Sequence, residues 1–191
     1  MAEPPEVIES YSNFKPPFGI RKLIHAALRS VPSNYLRGIR TIVLRDTAGM
    51  SRRERQVRWS RRRKSGIDEV LGRYHPESPG NQPWIEILVD NIWESLAPWE
   101  RRVPMLRNCA YASTLFHEIG HHIHFSQRPE HRDKEDVAKR WQGKLTGKFI
   151  LNRYWYVIPV LLPPYVLWKL GGDLMRLGRW LKRQVELSKG D

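Results

Sequence analysis

His117, Glu118 and His121 stand in the order His-Glu-x-x-His inside the stretch Ser113-Thr114-Leu115-Phe116-His117-Glu118-Ile119-Gly120-His121-His122. On a helix, residues four apart lie one turn apart on the same face. Two imidazoles in that relation can hold one zinc ion between them, with the intervening Glu118 placed to act on a zinc-bound water. Zinc lowers the pKa of such a water from about 15.7 towards 7. Glu118 would take the proton, the water oxygen would attack a polarised carbonyl, and the proton would pass to the leaving amine. The spacing therefore predicts a hydrolase of peptide bonds with one Zn2+, His117 and His121 as ligands and Glu118 as general base.

Projecting residues 108–125 at about 100° per residue tests that assignment. Ala112, Leu115, Ile119 and Ile123 fall on one side, and His117, His121 and His124 nearly opposite, with Gly120 between the groups. His122 projects with the apolar side and is not counted as a ligand. One face in a core and another presenting histidines to a cleft is the arrangement a metal-binding helix requires.

A catalytic zinc takes three protein ligands and leaves a position open. Beyond the turn at Arg128-Pro129-Glu130, a second helix begins near Asp133, with Val137, Ala138, Trp141 and Leu145 as its packed face. Glu135 lies at the border of that face and Asp136 points away from it. Glu130 sits too close to the turn to fold back. His131 precedes the regular helix, so Glu135 is the first candidate for the third ligand and His131 the alternative.

These residues carry a resemblance. Leu-Phe-His-Glu-Ile-Gly-His-His followed by Glu135-Asp136-Val137-Ala138 resembles the gluzincin branch of the zincin metallopeptidases, in particular the minigluzincins and the ImmA/IrrE-type proteases. The resemblance covers about residues 38–145 and departs at Lys139, where an Asp or Asn is usual. It implies His117, His121 and Glu135 as the zinc ligands and Glu118 as the base. It also implies an α+β fold: a compact zincin-like domain in which a small twisted mixed sheet packs on the active-site helix. In that fold an edge strand binds the substrate backbone by strand addition. By analogy the edge strand is residues 70–76, with Gly72, Arg73 and Tyr74 as the substrate-facing segment and Gly72 permitting close backbone approach. Residues 85–89 are then an inner strand.

The elements around the motif follow from periodicity and punctuation. Gly19 to Ser30 has helical spacing and stops before Val31-Pro32. Ile39 to Arg45, Val70 to Tyr74 and Trp84 to Val89 read as strands. Residues 1–18, rich in proline, read as an irregular N-terminal arm. The predicted organisation is a metallopeptidase domain over 19–147 with a basic insertion at 51–65, then an apolar, proline-containing segment and a basic amphipathic helix over 148–191.

Composition narrows the setting. The 191 residues suffice for one domain with a real core. The single Cys109 excludes a disulfide framework and a cysteine-based zinc finger. No basic start or apolar run marks the N-terminus, so no signal peptide is expected and the cytoplasm is the default compartment. A net charge of +13 favours anionic partners. Residues 52–64 carry eight cations against Glu54, with Trp59 among them, a composition suited to nucleic acid or to an anionic membrane surface. Residues 169–183 extend the same option, including a peripheral position on a membrane. Residues 154–168 are uncharged but hold three prolines, and fifteen residues fall short of a span. The competing functional reading is a binding protein for nucleic acid or membrane, in which the zinc is structural or the protease is recruited by these basic regions.

Overall fold

The computed structural model describes residues 4–51, 70–127 and 133–157. The basic stretch 52–64, the alternative ligand His131 and the tail 169–183 lie outside the described residues. Two compact units divide the chain, Met1–Asn152 and Arg153–Asp191. Of the second, residues 153–157 are described: they close a helix and form one short 3-10 turn, with Arg153 over the Tyr154 ring.

The first unit is α+β, with one mixed sheet of four strands ordered β1-β2-β4-β3 and helices packed on it. The strands are β1 (Glu6–Ser10), β2 (Thr41–Arg45), β3 (Gly72–His75) and β4 (Trp84–Leu88). β1, β2 and β4 run parallel, and β3 is antiparallel to β4 at the edge. The register places Ile42 beside Ile85 and Leu44 beside Ile87, so one face of the inner strands is continuous hydrocarbon with no solvent exposure. Parallel neighbours demand an intervening crossover. The helix α1 (Ile20–Ser30) provides it, burying Leu23, Ile24, Ala27 and Leu28.

The helix α4 (Pro104–Gln127) lies on the apolar face of the sheet. It starts earlier than its periodicity suggests because Pro104, with no N–H to satisfy and φ already helical, is well suited to the first turn. Tyr111, Ala112, Leu115, Phe116 and Ile119 are fully buried along it. Two short helices, α2 (Val89–Ser95) and α3 (Pro98–Arg102), fill the connection from β4 and are not announced by the sequence pattern. The helix α5 (Lys134–Tyr154) outruns its expected end near Leu145, so the unit closes at Asn152 rather than residue 147.

The N-terminal arm departs from expectation more sharply. Residues 6–10 are a strand, not irregular chain, paired with β2 from Glu6↔Thr41 to Ser10↔Arg45. One buried side chain, Val7, is too weak a pattern to announce an edge strand. Asp46 secures the segment after it. One of its carboxylate oxygens accepts the N–H groups of Ser12, Asn13 and Phe14 at 2.9, 2.7 and 2.8 Å, and the other accepts from Gly49. Burial alone would raise this carboxyl, but the four amide donors hold it below its usual value.

Candidate metal centre

The histidine stripe of α4 faces α5, and the two helices meet at two small residues, Gly120 and Ala138. A Cβ on Gly120 would lie 2.6 Å from the Ala138 Cα and 2.8 Å from its carbonyl oxygen. Glu135, three residues before Ala138, is thereby held one helical turn away from the contact, above the histidines.

His117 Nε2 and His121 Nε2 are 3.2 Å apart. One Glu135 oxygen lies 3.6 Å from His117 Nε2 and the other 3.7 Å from His121 Nε2. Bonds of about 2.0–2.1 Å at tetrahedral angles separate neighbouring ligand atoms by roughly 3.3 Å. The three groups therefore fit a zinc ion with small adjustments, and each carboxylate oxygen already faces one imidazole. Among the described residues, His117, His121 and Glu135 form a group able to hold a metal, with ligand atoms all within 4.8 Å of one another.

The protonation pattern also suits a metal. His117 Nδ1 faces the Gln142 Oε1 at 3.3 Å, and the Gln142 amide nitrogen donates to Ser113 Oγ at 2.7 Å. An amide oxygen only accepts, so Nδ1 of His117 carries the proton and Nε2 presents its lone pair. Burial lowers the His121 pKa to about 4, against the opposing pull of Glu135, so this imidazole is neutral at pH 7. Sequence reasoning missed Gln142 and Ser113. The only signal was spacing: Gln142 stands seven residues after Glu135, two turns along the same side of α5. Lys139, at the position where the resembled family has Asp or Asn, is exposed.

Glu118 is buried at 6% exposure, beneath the edge strand. Gly72 of β3 makes this approach feasible, since a Cβ there would come within 3.0 Å of the Glu118 Cγ and 3.2 Å of its Oε1. The Leu88 N–H bonds to the Leu71 carbonyl, which sets the alternation of the ladder. The N–H and C=O of Gly72 and Tyr74 consequently point to the open edge. The Tyr74 N–H donates to the Glu118 carboxyl. Burial raises Glu118 to about 8, the Tyr74 donor works against that rise, and the Glu135 charge adds to it.

The remaining residues sort themselves by face. Arg73 turns to the opposite side of the sheet, 3.9 Å from buried Glu86, which also pairs with Arg45 at 3.2 Å. His122 is buried and structural. Its Nε2–H donates to the Arg37 carbonyl at 3.0 Å, and its Nδ1 accepts from the Tyr74 hydroxyl at 3.1 Å. Burial lowers its pKa in turn. This ties α4 to the edge strand. His124 shares the stripe and is buried, but among the described residues it does not join the ligand group and its Nδ1 has no hydrogen-bond partner.

No protein-family model, curated protein or solved structure matches this chain. Among the described residues, no helix is long and apolar enough to cross a membrane.

Proposed function

We propose that the chain is a zinc-dependent peptidase of gluzincin type, with His117, His121 and Glu135 holding the ion and Glu118 as general base. The observation that carries this reading is the convergence of two Nε2 atoms at 3.2 Å with both Glu135 oxygens, beside a buried Glu118 on the same helix. Bound zinc would supply Lewis acidity towards a water and the scissile carbonyl, and positive charge that favours the ionised form of Glu118.

The chain's own groups account for the remaining steps. Gln142 keeps the His117 lone pair directed at the ligand position. An extended peptide adding to β3 would use the outward N–H and C=O groups of Gly72 and Tyr74. Such a peptide competes with Glu118 for the Tyr74 N–H and so releases the carboxylate towards the attacking water. Glu118 takes the water's proton and returns it to the departing amine nitrogen, while the closed Gly72 contact excludes bulk solvent behind it. Among the described residues three protein ligands converge rather than four, which favours a catalytic over a structural ion because a position remains for water and substrate.

Cleavage of a fluorogenic peptide mixture by the zinc-loaded protein tests this reading. Activity should vanish with a chelator and return with zinc. E118Q should keep the ion and lose activity by a factor on the order of 10² or more. Full activity in E118Q would sink the mechanism.

A further inference from the structure

The outward face of α5 breaks several rules of helix stability, and among the described residues its cations have no acidic partner to offset them. From Val137 to Asn152 this helix carries Lys139, Arg140, Lys144 and Lys148 and no acidic residue. All four cations are exposed, and among the described residues none of them forms an ion pair. Lys144 lies over the Trp141 ring, 4.7 Å from its centroid. Arg140, Lys144 and Lys148 follow one another at four-residue intervals, where like charges repel across each turn. Gly143 and Gly147 are exposed between them, and a Cβ on either would meet nothing within 4 Å. Glycine weakens a helix interior, and here no packing among the described residues calls for it. Uncompensated local costs of this kind mark surfaces kept for a partner.

We propose that this face binds the phosphate backbone of a nucleic acid, with Arg140, Lys144 and Lys148 as the phosphate contacts. The three cations rise about 6 Å apart along the axis, a linear array suited to a chain of repeating anions. The bare glycine backbone between them lets that chain come close. A second copy of this protein would present the same charge and be repelled. Helices that rest on membranes bury a broad apolar side. On α5 within the first unit, Leu151 is the one large hydrophobic residue that is exposed. The proposal is independent of the metal centre, which occupies the other side of the same helix.

The test uses the full chain carrying E118Q, with and without R140Q/K144Q/K148Q. Binding to a labelled mixed-sequence DNA duplex and to a single-stranded RNA is followed by anisotropy between about 50 and 200 mM salt. The triple variant should bind at least about tenfold more weakly, and its log–log salt slope should fall by roughly 2–3, close to 0.9 for each phosphate that is no longer neutralised. Its zinc content and unfolding temperature should be unchanged. Should the triple variant misfold, each single substitution should lower the slope by about 1. Identical affinity and slope in parent and variants, or no binding of either nucleic acid, overturns the proposal. So does loss of binding to phosphatidylserine vesicles with nucleic-acid binding intact, which would assign the face to lipid.

Discussion

Gly120 of α4 and Ala138 of α5 touch backbone to backbone, and that contact sets the height of Glu135 above the two histidines. There is no room at position 120 for a methyl group, which would lie 2.6 Å from the Ala138 Cα. The partner atoms are main chain and cannot rotate aside. Gly120→Ala is therefore expected to push α5 outward and to destabilise the protein by about 1–3 kcal/mol. The gain in unfolding temperature on adding zinc should shrink as well, because Glu135 moves with α5. A zinc-induced gain equal to that of the wild type would show that the helix contact does not position the ligand.

The third ligand can be settled by metal analysis. Glu135→Ala removes both oxygens that face His117 and His121. It should lower zinc affinity by a factor on the order of 10² or more, measured by competition with a chromophoric chelator. His131→Ala should retain the ion. Metal loss in the His131 variant alone would reverse the assignment.

In the proposed zinc site Gln142 would act on the ion through His117, whose Nδ1 it faces at 3.3 Å. Replacing it with Leu keeps the volume but removes the acceptor for Nδ1–H, freeing the imidazole to turn or to change tautomer. Zinc affinity should fall roughly 10–100-fold, with little change in the stability of the metal-free protein. Gln142→Glu supplies an acceptor again and should restore affinity. A merely structural role for Gln142 would leave zinc affinity unchanged in the Leu variant.

Glu118 links metal-free stability to pH. Its folded pKa is raised to about 8 from an ordinary 4.5, so between those values the folded chain keeps a proton that the unfolded chain releases. Stability must then fall as pH rises from about 4.5 through 8, by at most about 1.4 kcal/mol for each step of one in pH. Glu118→Gln has no such proton to lose. In chelator, the unfolding temperature of E118Q should exceed that of the wild type by a margin that widens from pH 5 to pH 8. A constant difference across that range would mean that Glu118 is not buried as described.

The legible part of the fold was whatever repeats over short distances. Apolar spacing in Gly19–Ser30 and in the motif helix, the β-branched run at Ile39–Arg45 and the strand signal at Trp84–Val89 identify elements that lie within a few residues of their expected ends. The edge position of β3 also agrees with the analogy. β1 was hidden because its pairing partner lies 35 residues away and only Val7 is buried. α2 and α3 were hidden because, at seven and five residues, they are too short for periodicity to emerge.

The placing of His117 and His121 one turn apart on a single helix, with Glu118 between them, was determined by the sequence alone, because a separation of four on a helix is a local property of the backbone that needs no other element. That Glu135 faces both imidazoles, that Gln142 holds the His117 tautomer through Ser113, and that Glu118 is buried under Gly72 and the Tyr74 N–H were decided only in three dimensions. Each of these depends on how closely two separate elements approach. That distance is set by small residues such as Gly72, Gly120 and Ala138, whose role is to be absent from the space another residue must fill.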